Sequence, residues 1–275
     1  MLFITTINYG ATIQIYPNTK QKEQINKTIG CKRFVYNYFL TEAKTNKYKS
    51  FYFYCEKLTQ LKIDEPFLKE ADKFALQNAL RDLNDAFQRF FNKQNKYPKY
   101  KSKRDLRQSY RTNLTNNNIE IKDNAIKLPK LGKVKLEKKI NNINKINNVT
   151  IFKRLNKYYV SISFETELDN ILKEKQIPKP INYAIGIDLG LTDYAVLSNG
   201  TKYKNHKYLK QYEKKLAKLQ KQLSKCQKNS NNYNKLRSRI NKLHFKIANS
   251  RKDYLHKLSK TIINENQVII QVKYF

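Results

Sequence analysis

The apolar residues of this chain change period several times along its length, and that succession limits the fold more than any bulk figure does. Ala11, Ile13 and Ile15 alternate with Thr12, Gln14 and Tyr16, which predicts a strand ended by Pro17. Asn18 stands as an N-cap with Gln21 three residues on, the spacing of a capping box. A helix is expected through Ile25 and Ile29, interrupted or bent near Gly30, and resuming through Phe34, Val35, Tyr38 and Phe39. A second is expected from Pro66 to about Phe91, with Leu76, Leu80, Leu83, Phe87 and Phe90 on one face. From Ile119 the period returns to two. Ile119–Lys122 and Ala125–Leu128 flank the turn pair Asp123-Asn124, and Val149–Leu155 and Tyr158–Phe164 flank Asn156-Lys157.

Residues 168–180 are polar, contain two prolines and read as a linker. Beyond it, Tyr183–Asp188 and Tyr194–Leu197 read as strands, and Asn199-Gly200 is a hairpin turn signal. Leu209, Tyr212, Leu216, Leu219 and Leu223, then Leu236, Ile240, Leu243 and Ile247, step by three and four. Two long helices joined at Asn229–Asn232 should therefore pack antiparallel. A last strand is expected at Gln267–Val272. The fold class is α+β.

Charge narrows the partner. Lys and Arg number 56 against 22 Asp and Glu in 275 residues, a formal charge of +34. A compact body so charged repels itself unless a polyanion neutralises it. An AT-rich genome would inflate lysine, yet it would not suppress Asp and Glu. No run of about 18 apolar residues occurs, and Met1–Tyr9 lacks the layout of a signal peptide, so no membrane partner is expected. Cys31, Cys55 and Cys226 are isolated and form no Cys-x-x-Cys pair, which leaves no zinc ribbon and no disulfide framework. The cytoplasm is the expected compartment, and nucleic acid the expected partner. Lys93–Arg111 is its densest stretch, with eight Lys or Arg, one Asp, and Tyr97, Tyr100 and Tyr110 as possible stacking platforms.

One motif points to chemistry. Tyr183-Ala-Ile-Gly-Ile-Asp188-Leu-Gly190 delivers a carboxylate near the end of an apolar strand, with Gly190 letting the chain turn. RNase H-like nucleases present an Asp to Mg²⁺ in this way, because a hard cation prefers oxygen ligands. Taken alone the motif is weak: sugar-kinase-type ATPases share it, and an Asp beside a turn is more often structural.

Six ordered segments carry a resemblance. They are Tyr9–Leu40 with Gly30-Cys-Lys32-Arg33-Phe-Val-Tyr36-Asn37, Ala75–Leu83, Pro98-Lys99-Tyr100-Lys101-Ser-Lys103 with Gln108-Ser109, Ile126–Gly132, the Asp188 strand, and Ile247–Ser259. Together they resemble the TnpB/OrfB proteins of bacterial insertion sequences, over essentially the whole chain. The resemblance implies a transposon-encoded, RNA-guided DNA endonuclease related to the ancestors of type V CRISPR effectors, with guide RNA and DNA as partners. By that resemblance residues 1–18 and 108–180 form a β-barrel and 19–107 an inserted helical domain of helix-turn-helix type. Residues 181–275 begin a RuvC domain with a long helical hairpin. Asp188 becomes the first RuvC carboxylate, a catalytic Mg²⁺ ligand in the family. Nucleic-acid contacts are expected at Lys32, Arg33, Tyr36, Asn37, Lys99, Tyr100, Lys101, Lys103, Arg104, Arg107, Gln108 and Ser109. Arg251 and Lys252, on the second long helix, could meet phosphate. Tyr36 and Asn37 lie on a helix whose apolar face could equally be core, and a basic run is usually a solvated face.

The departures matter as much. The family pattern needs a Glu after a later strand and a further Asp, but after Asp188 only Asp193, Glu213, Asp253 and Glu265 follow. The chain ends Val268-Ile-Ile-Gln-Val-Lys-Tyr-Phe275, where the family shows Glu-Asp-Leu. It therefore reads as C-terminally shortened and monomeric, with Asp188 orphaned, Mg²⁺ binding doubtful and cleavage by this polypeptide alone not expected. A nuclease-dead repressor or competitor, or a pseudogene fragment, are the alternatives.

Overall fold

The computed structural model describes residues 6–103, 105, 108–140, 143–167, 184–266 and 268–271. The chain divides into two units, Met1–Ile171 and Leu172–Phe275.

In the first unit, strand β1 (Thr6–Tyr16) runs directly into helix α1 (Thr19–Asn46). The capping box forms: the Gln21 amide donates to Asn18 Oδ1 at 2.9 Å, and the Asn18 amide donates to Gln21 Oε1 at 3.0 Å. Gln21 Nε2 also donates to the carbonyls of Leu131 and Lys133, so one side chain both starts the helix and ties it to the sheet. The bend expected at Gly30 is absent, and α1 is a single helix of 28 residues. A helical glycine costs about 1 kcal/mol. Burial of Ile25, Ile29, Val35, Phe39 and Leu40 on the same helix outweighs that.

Helix α2 (Phe51–Asp64), capped by Ser50, was not expected from the sequence. The stretch expected to be helical from Pro66 begins as a 3₁₀ turn, Pro66–Glu70, and helix α3 (Lys73–Phe91) starts afresh at the N-cap Asp72. Leu76, Leu80, Leu83 and Phe87 are buried as their spacing predicts, against Phe39, Tyr54 and Leu58.

Six further strands complete the sheet: β2 (Gln108–Asn113), β3 (Glu120–Lys122), β4 (Ala125–Leu128), β5 (Gly132–Leu136), β6 (Lys145–Arg154) and β7 (Lys157–Glu167). Their order is β2-β6-β7-β1-β5-β4-β3, with every pairing antiparallel. Buried and half-buried residues alternate along β7, so one face carries the core of Ile13, Ile15, Tyr110, Val134, Val149, Ile151, Val160 and Ile162. The barrel expected here is not closed. Strands β2 and β3 are the two edges, and no ladder joins them among the described residues. Alternation reports which face is buried, whereas closure depends on two distant edges meeting, which no local pattern encodes. The hairpin turn between β6 and β7 falls at Leu155-Asn156, one residue earlier than its composition suggests.

Asp72 is 2% exposed. Its Oδ1 accepts from the Phe74 amide at 2.8 Å, while its Oδ2 and the buried Thr112 hydroxyl make no hydrogen bond of ordinary geometry. Burial pushes the carboxyl above its usual range, opposed by the nearby Thr112 hydroxyl and the Phe74 amide. A raised carboxyl favours the folded state while protonated, so its contribution is present at acid pH and lost as pH rises from the ordinary carboxylate range through the raised value. Asp72→Asn keeps the cap and removes the charge, with Thr112 Oγ1 able to accept from the new amide. The variant should be more stable at pH 7 by on the order of 1 kcal/mol, with the gain closing towards pH 4 in thermal melts.

The second unit holds β8 (Ala184–Leu189), β9 (Asp193–Leu197), β10 (Lys202–Lys204) and β11 (Val268–Gln271) in the order β10-β9-β8-β11. Only the β8–β11 pairing is parallel. Gly200 takes φ +86° in the expected Asn199-Gly200 turn. Helices α4 (Tyr208–Ser224) and α5 (Asn231–Glu265) form the expected hairpin. Leu216 meets Ile240, Leu243 and Ile247 along it, while Leu258 and Ile262, further along α5, cover Ile185, Ile187, Ala195 and Leu197.

Candidate nucleic-acid interface

In the first unit, the predicted residues Arg33, Tyr36 and Asn37 of α1 meet Lys101 and Gln108, with Asn37 as the fastener. Its Nδ2 donates to the Lys101 carbonyl at 2.9 Å and its Oδ1 accepts from the Lys101 amide at 2.8 Å, which fixes an otherwise irregular segment to α1. Gln108 continues the connection: its Nε2 donates to the carbonyls of Ser102 and Asp105, and its Oε1 accepts from Arg33 at 3.2 Å.

The charged centre is Asp82 on α3. Lys32 Nζ lies 2.8 Å and Lys101 Nζ 3.1 Å from the same Asp82 Oδ2. Burial pushes that carboxyl up, but the charges of Lys32 and Lys101 outweigh it and hold Asp82 below the usual carboxylate range. Two ammonium groups on one carboxylate oxygen leave positive charge uncompensated. A polar cleft of about 200 Å³ opens over it, lined by Lys32, Arg33, Asp82, Lys101, Gln108 and Ser109 among others. Such a cleft suits a phosphate rather than a base.

The tyrosines divide by role. Tyr36 is 4% exposed beneath Lys101 Nζ, 3.9 Å from its ring centroid, and burial raises its hydroxyl to about 12. Tyr110 is buried in the sheet core, and Tyr97 packs edge-on against Phe87 and Phe90. Tyr100 stays open at 48% exposure, its hydroxyl bonded to Thr41 and Lys44 4.1 Å from its ring centroid. Lys99 and Lys103 are exposed beside it, and Arg104 and Arg107 lie outside the described residues. The sequence reading missed Asp82, Thr41 and Lys44. Asp82 stands within the Ala75–Leu83 segment that carries the family resemblance, the one signal that could have pointed to it. Also missed was a cleft of about 540 Å³ beside Asp72, whose lining includes Lys62, Lys69, Lys73 and Lys130.

In the second unit Asp188 is exposed near the end of β8, opposite Val196 of β9. Gly190 is required: a Cβ there would stand 2.9 Å from the Asp193 carbonyl oxygen. Asp193 begins β9 rather than lying in the turn. Among the described residues no group of three or more His, Cys, Asp or Glu is placed to hold a metal ion. This donor set does not fit a pair of Mg²⁺ ions, which need several carboxylate oxygens. Arg251 and Lys252 are exposed on α5. No helix among the described residues is long and apolar enough to cross a membrane.

Residues 161–273 match the family described as "Probable transposase", OrfB_IS605, and residues 7–50 match its "Helix-turn-helix domain". In this chain residues 7–50 hold β1 and the unbroken α1, and α2 begins just past them. A Streptomyces pristinaespiralis protein named "Putative RNA-guided DNA endonuclease" is 32% identical over 270 residues, 94% of this chain and 64% of its own length. The Escherichia coli K12 protein named "Putative RNA-guided DNA endonuclease InsQ" is 31% identical over 267 residues, with the same coverage. The chain thus spans just under two thirds of either relative.

Proposed function

We propose, for a chain that belongs to the TnpB/OrfB family of insertion-sequence proteins, that it grips a guide RNA and DNA through its basic surface and that these 275 residues alone do not cut. The observation that carries the reading is the polar cleft where Lys32 and Lys101 share the Asp82 carboxylate and Arg33 bonds to Gln108 in the same lining. Three cations gather there with Tyr100 exposed nearby, which is what a phosphodiester strand with an accessible base requires. The two relatives named as RNA-guided endonucleases support RNA and DNA as the partners.

The second unit is RuvC-like, an assignment supported by its mixed sheet with an acidic residue on an inner strand. Asp188 is its first carboxylate, and the inactivity of the isolated polypeptide is supported by the lack, among the described residues, of others grouped with it. Binding and chemistry are tested separately. Electrophoretic retention of a guide RNA by the purified chain is expected. Incubation of the RNA-loaded chain with target DNA and Mg²⁺ is expected to leave the DNA intact, as for Asp188→Ala. Cleavage by the parent that disappears in the variant would show a complete catalytic site.

A further inference from the structure

Where the α4–α5 hairpin meets the small sheet, a cleft of about 430 Å³ opens within the second unit. Its walls combine two chemistries. Four aromatic rings meet there: His206 lies perpendicular to Tyr254 at 4.5 Å between centroids and 5.6 Å from Tyr208, and Tyr194 packs edge-on against Tyr254 at 6.3 Å. Around them stand Lys207, Lys210 and Arg251, with Glu213 the only acid in the lining. Among the described residues no ion pair engages any of these three cations; the unit's described ion pair is Lys257 with Asp253.

We propose that this cleft holds one unstacked nucleotide of a single strand, its base against the His206 and Tyr208 rings and its phosphate on Arg251 and Lys207. The proposal rests on the nucleic-acid reading above and adds a position to it. Aromatic faces serve a base only once it has left a duplex stack, and the adjacent cations serve the phosphate attached to it. A volume of this size accommodates a nucleotide. The walls are fixed: Tyr254 donates its hydroxyl to the Lys204 carbonyl at 2.9 Å, and Gln211 Nε2 donates to the His206 carbonyl at 3.0 Å. The cleft is also tied to the Asp188 loop, since Asn205 Nδ2 donates to the Leu191 carbonyl at 3.0 Å. A strand lodged here would thus be held beside the segment that carries Asp188.

The test uses the full chain with fluorescent oligothymidine, oligouridine and a DNA duplex, each of about 16 nucleotides per strand. His206→Ala and Arg251→Gln should each weaken single strands by about tenfold and the duplex by less than about twofold, while His206→Phe, which keeps a ring, retains binding. Oligonucleotides carrying 5-iodouracil should photocrosslink to His206, Tyr208 or Tyr254, and a preference between the DNA and RNA arms identifies the strand. Equal losses on single strand and duplex, or crosslinks confined to other residues, would overturn the proposal and leave the first-unit interface standing. A parent chain that retains no nucleic acid would sink both readings.

Discussion

Affinity of the chain for RNA or DNA should fall by about 10³–10⁵ between 50 and 200 mM salt, as for a protein that neutralises roughly six to ten phosphates. The expectation comes from where the charge lies. Lys32 and Lys101 share one carboxylate oxygen, and the cleft beside Asp72 adds four lysines to its lining. Tyr100→Ala should lower affinity while leaving the slope of log affinity against log salt unchanged, because a ring neutralises no phosphate. Lys99→Ala together with Lys103→Ala should flatten the slope by roughly two counterions. Fluorescence anisotropy across a salt series measures both, and a shallow slope in the parent would mean that charge is not the main source of grip.

The largest effect on stability is expected at Phe39, whose side chain is fully buried with its ring 5.2 Å from Tyr54 and 5.1 Å from Tyr38. Phe39→Ala should cost about 3–5 kcal/mol, since the ring belongs to one buried cluster built from α1, α2 and α3 and leaves a cavity in it. Tyr52→Ala, 78% exposed on the next helix, should change stability by less than about 0.5 kcal/mol. Urea melts of the two variants side by side separate loss of packing from loss of an aromatic group as such. A Phe39→Ala melt coincident with the parent would mean that the three helices are not one packed body.

What the sequence revealed tracks how local each signal is. The Asn18–Gln21 box, the α3 stripe, the Asn199-Gly200 turn and the seams of α4 and α5 are decided within a few residues, and each is present. Helix α2 begins Phe-Tyr-Phe-Tyr, residue types with no helical preference of their own, and it forms because Tyr54, Leu58 and Leu61 find a surface on the other helices. The continuous α1 and the open sheet were decided by packing and by edges far apart in the chain. At the interface, residue types were legible and partners were not. Nothing near Lys101 in sequence announces that Asn37 will hold its backbone or Asp82 its charge. Tyr110 carried no clear signal, because Gln-Ser-Tyr-Arg-Thr-Asn shows no apolar alternation, and only the structure shows Tyr110 and Thr112 as the buried positions of β2.

The placement of β1 has a consequence for biosynthesis. Its principal partner is β7, in register from Thr6 opposite Glu167 to Ile15 opposite Tyr158. At ordinary translation rates the ribosome needs on the order of ten seconds to reach Glu167 after making Tyr16. Helices α1 to α3, whose contacts are local, can assemble within that interval. Until β7 arrives β5 can pair only with Ile15 and Tyr16, so the rest of β1 carries bare amides and carbonyls, open to the same strand of a neighbouring nascent chain. Slower elongation between Phe91 and Lys157 would lengthen that exposure, so codon choice over the β2–β6 region should govern the yield of soluble protein more than codon choice over the helices.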